Sequence, residues 1–291
     1  MRRIGFPVLF VVAAVLNSGC ANTWDTFTSR KFRQKPFGTM FSSEDPLTVM
    51  KSSVEGDERA YAMRKLKEPN QHGKTSEDQD EAIKLLSAAA ISDPSPVVRV
   101  AAIDALGRFQ DERAIAILNA AYRTADGVPS GVEKPKKAKS PVNSDEPEAL
   151  AERYSLRGPI GFADEVTSAI RSRTIDSLAN TGKATALPVL AEAAQGGSKD
   201  LPVDRDTQLT ALRGLQRIRT KESAGVLMAV LKEQKGKDPA MTDRAHDGLV
   251  ALTGQKMPAD ASVWEAAMKS GEATVKPESS GIVQVGAIFS K

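Results

Sequence analysis

The sequence predicts an all-α protein, an α-solenoid of about five helical hairpins stacked as an α–α superhelix. Three observations carry this. Apolar residues recur at helical spacing over most of the chain. The same helix pair returns at a period of roughly 37 residues, a length typical of stacked helical repeats. Aromatics make up only 5% of the 291 residues against 41% hydrophobic, so the core is built from Ala, Leu, Ile and Val, which suits helices packed at close range.

Residues 1–19 read as a secretory signal. Met1-Arg2-Arg3 opens it, an apolar run from Ile4 to Leu16 follows, and Asn17-Ser18-Gly19 leads to Cys20. The run is short for a membrane span and contains Pro7. Together with Cys20, the one cysteine of the chain, it resembles a bacterial lipoprotein signal. That resemblance implies acylation of the Cys20 thiol and cleavage before it. An ordinary cleaved signal with an incidental Cys20 is the alternative. Acyl chains anchor by roughly 0.8 kcal/mol per buried methylene, and a stable anchor takes two or more chains. Residues 20–44 lack periodicity and read as a tether. Their Trp24, Phe27, Phe32, Phe37 and Phe41 are suited to packing on the first repeat or to resting in a lipid interface.

Helical repeats are expected over 45–123. The clearest unit runs from Asp93 to Tyr122. Pro94 and Pro96 precede a helix whose Val97, Val98, Val100, Ala101, Ala102, Ile103, Ala105 and Leu106 are apolar almost all round, interrupted by Arg99 and Asp104, with Gly107 as its stop. A second helix begins near Asp111 and presents Ala114, Ile115, Leu118 and Tyr122 on one face. The template recurs backwards at Arg59, Met63 and Leu66, and forwards at Arg171, Ile175, Asp176, Leu178, Ala186 and Leu190. It returns at Leu212, Leu215 and Leu227, with Gln208 in the arginine position, and again at Leu249 and Leu252.

Between these blocks, residues 124–161 read as a mobile insertion rich in Pro, Lys, Ser and Glu, which buries too little apolar surface to order itself. Its Lys134, Lys136, Lys137 and Lys139 read as a solvated run offset by Asp145, Glu146 and Glu148. Residues 162–270 carry the remaining repeats and a capping helix, with Trp264 closing the end of the stack. Capping boxes are expected at Ser76 with Gln79 and at Ser262 with Glu265, and Pro188 falls in the first turn of its helix. Residues 271–291 read as a flexible tail in which Ile282, Val283, Val285 and Ile288 hint at a short strand.

The pattern V-R-x-A-A-x-x-A-L-G at Val98 to Gly107, followed by D-x-x-A-x-x-x-L at Asp111 to Leu118, resembles a HEAT repeat, of the short HEAT-like variety also found in phycobilisome lyases. With the lipoprotein-type signal, the chain resembles HEAT-repeat lipoproteins of planctomycete-type bacteria. The resemblance implies a polar ladder between repeats, made by an aspartate before each first helix and an arginine inside it. Asp93 and Arg99 stand at one spacing, and Asp238 and Arg244 repeat it. Arg171 stands one residue further from Asp164. A guanidinium has donors enough to reach a carboxylate and loop carbonyls together.

The chemistry-bearing residues argue for binding and against catalysis. His72 and His246 are the two histidines. His72 lies in a turn, and His246 sits on a helix with no partner evident from sequence. HExxH, CxxC, GxSxG and a phosphate-binding Gly-Lys loop are absent from the sequence, so no metal, cofactor or catalytic residue is expected. The net charge of +3 approaches neutrality once Arg2 and Arg3 leave with the signal, which gives no footprint for nucleic acid. The expected function is a lipid-anchored scaffold that faces the periplasm and binds a protein partner. Ala21 after the cysteine favours the outer membrane slightly. A lyase-like enzyme or accessory, and a structural protein of the envelope or wall, are the alternatives.

Overall fold

A computed structural model describes residues 44–128 and 161–277. Cys20, the aromatic residues of the tether, the lysines of the insertion and the apolar tail positions from Ile282 lie outside the described residues. Eleven α-helices occupy the rest: α1 (Pro46–Ser52), α2 (Gly56–Lys65), α3 (Ser76–Ser92), α4 (Pro96–Leu106), α5 (Arg113–Arg123), α6 (Asp164–Asn180), α7 (Leu187–Ala194), α8 (Arg205–Leu215), α9 (Lys221–Gln234), α10 (Pro239–Thr253) and α11 (Ala261–Ser270). The described residues hold no β-strand beyond an isolated bridge between Gly197 and Pro202.

The helices form two layers. Helices α2, α4, α6, α8 and α10 lie side by side in one, and α1, α3, α5, α7, α9 and α11 make the other. Each helix of the first layer also packs on the helix that precedes it in sequence, so hairpin and stack share one continuous core. The architecture is an α-solenoid. The repeated positions occupy the interior: Ile103, Leu106, Ile175, Leu178, Leu212, Leu215, Leu249 and Leu252 are fully buried, as are Ala114, Ala186, Leu118, Leu190 and Leu227. Burying each Leu or Ile side chain contributes roughly 1.5–3 kcal/mol.

Helix starts follow local capping chemistry, displaced from the two expected capping boxes. In α3 the cap is Thr75, whose hydroxyl accepts from the Asp78 amide while the Asp78 carboxylate accepts from the Thr75 amide. Ser76 and Gln79 do not form the box, because Gln79 is turned inward and buried. In α11 the cap is Asp260, which accepts from the Ser262 amide at 2.9 Å; an aspartate two residues upstream outcompetes Ser262 for the same orphan donors. Asp204, Thr220 and Asp238 cap α8, α9 and α10 in the same manner.

Helix α4 ends at Leu106 as expected, but Gly107 does not stop it by turning left-handed, since its φ is −65°. Glycine is required there by crowding. A Cβ on Gly107 would lie 2.7 Å from Cβ of Ser177 on α6. Around the insertion, the last residues before it and the first after it meet: the Phe162 amide donates to the Asp126 carbonyl at 2.7 Å. Gly161, at φ +88°, fits because any side chain would collide with that same carbonyl.

The end of the stack departs from the repeat. Lys235, just beyond α9, reaches the Asp260 carboxylate at 2.6 Å, so the segment after α10 has crossed back before α11 begins. Helix α11 therefore runs antiparallel to α9 and covers it. Trp264 is fully buried, donates from Nε1 to the Pro258 carbonyl at 3.0 Å, and meets His246 edge-on with ring centroids 6.0 Å apart. His246, which had no partner evident in the sequence, is paired through Nε2 with the Met257 carbonyl at 2.7 Å.

Candidate functional site

Because first and second helices alternate in direction, the stack has two long edges. One carries the loops between repeats and the other carries the turns within them. Each edge is laced by its own ladder of side chains, and these ladders are the built features of the surface.

On the loop edge, an arginine from each of α2, α4, α6 and α8 reaches forward to the next loop. Arg59 on α2 donates to the Asp93 carboxylate at 2.9 Å. Arg99 on α4 donates to the Thr124 carbonyl at 2.7 Å, and through Nε to the Asp93 carbonyl at 2.8 Å. Arg171 on α6 donates to the Pro202 carbonyl at 3.1 Å. Arg205 on α8 grips Asp238 through two nitrogens. Arg99 is the buried member, only 4% exposed, and its guanidinium stacks on the Phe162 ring at 4.9 Å. Desolvation lowers its pKa, opposed by the fields of Asp93 and Asp126.

The expected pairs are thus re-partnered. Arg99 uses the Asp93 carbonyl, while the Asp93 carboxylate serves Arg59 and the Ser95 amide. Asp238 does not pair with Arg244. It caps α10 through the Met241 amide and holds Arg205, and those two contacts, the Arg205 hydrogen bond foremost, bring its pKa down to about 2. The physical reason is direction. An arginine in the first turn or two of its helix lies over the neighbouring loop, one repeat on, and its own preceding aspartate is committed to the helix N-terminus. Arg244 is partly buried and has no hydrogen bond or ion pair among the described residues.

On the turn edge the bonds run the other way, back to the preceding turn. Arg108 donates to the carbonyls of Met63 and Arg64 at 3.2 and 3.1 Å. Lys183 donates to the Gln110 carbonyl at 2.6 Å. Arg217 reaches Asn180, and also Asp176 at 3.2 Å. Between the edges Arg173 on α6 holds Asp104 on α4 by two bonds. A buried carboxylate completes this side. Glu68 accepts from the amides of Gln110 and Asp111 at 2.6 and 3.0 Å and from Gln79 at 3.2 Å, while Gln79 also donates to Asp111 at 3.0 Å. The sequence offered one signal for this second ladder: Asp104 and Asp176 occupy the same repeat position.

Three buried polar atoms have no hydrogen-bond partner among the described residues: the Tyr122 hydroxyl, Nε of Arg171 and Oδ1 of Asn119. Burial pushes the Tyr122 phenol up to about 12, with Arg171 opposing. A surface pocket of about 180 Å³ beside Lys232, Lys235 and Asp260 is smaller than the roughly 300–1,000 Å³ of small-molecule sites. Among the described residues no group of three or more His, Cys, Asp or Glu is placed to hold a metal ion, and no helix is long and apolar enough to cross a membrane.

Residues 45–129, which span α1 to α5, match the model of a family of HEAT repeats, so that part of the stack is similar to HEAT repeats. No curated protein matches the chain.

Proposed function

We propose that the protein is a scaffold that binds another protein at the cell envelope, held to the membrane by acyl chains on Cys20. The observation that carries the binding half of this reading is the stapling of both edges of a HEAT-type stack, from Arg59–Asp93 to Arg205–Asp238 on one side and from Arg108 to Arg217 on the other. Solenoid repeats touch only their neighbours, so the stack flexes unless adjacent repeats are fastened. Fastening repeat to repeat presents a long surface in one shape, which lowers the ordering cost of binding a large partner. HEAT repeats generally serve protein–protein interaction, and no catalytic residue is assigned. The anchor rests on the sequence around Cys20, and a tether to the membrane raises the local concentration of any partner there.

Two measurements test the halves separately. Cys20→Ser is expected to move the protein from the membrane to the soluble fraction; retention in the membrane contradicts the anchor. Crosslinking in native membranes followed by mass spectrometry is expected to join the stack to a protein partner. Recovery of the uncrosslinked monomer alone, or co-sedimentation of the purified chain with wall material, counts against the scaffold reading.

A further inference from the structure

The first hairpin lacks the neighbour that the later ones have. In the repeat template, Tyr61 and Lys65 of α2 correspond to Ala101 and Ala105 on α4, to Arg173 and Ser177 on α6, and to Thr210 and Gly214 on α8. On the later helices these positions face the preceding repeat. Arg173 holds Asp104 on α4 by two bonds, and the Thr210 hydroxyl meets that of Ser172 on α6 at 3.2 Å. Ser177 is 2% exposed and abuts Gly107, and a Cβ on Gly214 would lie 2.8 Å from Cβ of Ala179 on α6. By the same register, Tyr61 and Lys65 face the place of a repeat before the first. Among the described residues no helix lies there, since α2 packs on α1 and α4. Tyr61 is 43% exposed, with the Lys65 ammonium over its ring at 5.5 Å, and Val54, in the loop that leads into α2, is 91% exposed.

We infer that residues 21–43 of this chain cover that face and serve as the N-terminal cap of the stack. The point of entry favours this occupant. Asp45, at the start of α1, is paired with Lys74 in the turn that follows α2, so the chain enters the stack at the end of α2 that carries Tyr61 and Lys65. Composition favours it as well. Residues 21–43 hold Trp24, Phe27, Phe32, Phe37 and Phe41 on a chain only 5% aromatic, an apolar load that a solvated linker lacks. Charge agrees: Arg30, Lys31, Arg33 and Lys35 outnumber Asp25 in the segment, and α2 opens with Asp57 and Glu58. Stacked repeats need their terminal faces covered to stay soluble, and an uncovered end invites head-to-tail stacking of copies. A segment laid against α2 cannot stretch to the roughly 80 Å that an extended chain of its length spans, so acyl chains on Cys20 would hold the first hairpin close to the membrane. The cap itself requires neither the anchor nor the scaffold reading.

The test uses the chain from residue 20 onward with Cys20→Ser, which keeps every helix and removes the anchor from the readout. Acrylamide quenching of Trp24 is taken as the difference between this protein and its Trp24→Phe variant, because Trp264 is fully buried. Trp24 is expected to be quenched several-fold less than in a synthetic peptide of residues 21–43. Tyr61→Glu, at an exposed position, is expected to abolish that shielding with the helical circular dichroism unchanged, whereas Tyr61→Phe keeps it. Phe32→Ser with Phe37→Ser, which leaves every described residue as it is, is expected to expose Trp24 as well. The inference is overturned if Trp24 is as open to quencher in the intact chain as in the peptide, or if its shielding survives Tyr61→Glu and the double phenylalanine variant. Shielding that disappears on dilution, with a dimer in light scattering, assigns the face to a second copy and overturns it. Shielding that arises only with phosphatidylglycerol vesicles assigns the aromatic residues to a lipid interface and overturns it too.

Discussion

Arg205 and Asp238 join across one repeat by two parallel bonds of 2.6 and 2.9 Å, yet the arginine side chain is 56% exposed and the carboxylate 22%. Arg99, by contrast, is 4% exposed and bonds only to carbonyls. Exposure decides their weights. Arg205→Gln is expected to cost little stability, because exposed ion pairs are screened and entropically taxed. Arg99→Ala is expected to cost about 3 kcal/mol or more, since it strands buried carbonyls and empties the space over Phe162. Arg99→Lys should recover little, because one ammonium cannot span both the Asp93 and Thr124 carbonyls. Urea unfolding of the three variants checks the order, and equal losses for Arg205 and Arg99 would remove burial as the deciding factor.

Acid should loosen the loop edge first. Asp238 falls to about 2 in the folded chain, with Arg205 the main cause, and Asp204 is lowered by the Thr207 and Ser168 bonds against the opposing effect of burial. A carboxylate whose folded pKa lies below its unfolded value stabilises fully above the unfolded pKa, near 3.9, and that contribution drains away as pH falls toward the folded value. Thermal midpoints are therefore expected to hold from neutrality to about pH 5 and to drop between about pH 4 and pH 2. Asp238→Asn should flatten part of that drop. A midpoint that is independent of pH over this window would contradict the ladder.

The stack was legible from sequence because its signal is redundant. Ile103, Leu106, Ile175, Leu178, Leu212 and Leu215 hold equivalent positions, and every one is buried. The ladder was legible only by residue type. Asp93, Arg99, Arg171 and Asp238 do line one edge, but partner choice depends on where a long side chain lies relative to the next repeat, which pairwise spacing within one repeat does not encode. Glu68 and Gln79 gave no periodic signal, since each acts once, in a turn of its own shape. The reversal of α11 was equally silent: a lone amphipathic helix reads the same in either direction.

Tyr122 offers a substitution expected to improve the protein. Its ring fills the core of α5 while its hydroxyl is buried without a partner among the described residues. An unpaired buried hydroxyl costs roughly 1–3 kcal/mol, so Tyr122→Phe should raise the melting temperature by several degrees. The phenol adds a pH signature of its own. With a folded pKa of about 12 against an unfolded 10.0, the neutral ring contributes stability that is complete below pH 10 and is lost as pH rises toward 12. Tyr122→Phe should remove that share of the alkaline loss. A lower melting temperature for the variant would mean that the hydroxyl is satisfied by bound water.

Gly107 tests the packing of α4 on α6. Were it a helix stop, Gly107→Ala would be nearly neutral, since a φ of −65° suits alanine and the change restricts the unfolded chain. Close approach gives the opposite sign. The new methyl would sit 2.7 Å from Cβ and 2.9 Å from Cα of Ser177, so the two helices must part, at an expected cost of about 1–3 kcal/mol. Pairing it with Ser177→Gly removes the nearer contact and leaves the backbone one. The double variant should therefore recover part of the loss beyond what the separate substitutions predict, a coupling readable in a double-mutant cycle. Additive effects of the two substitutions would show that Gly107 and Ser177 do not set the spacing of these helices.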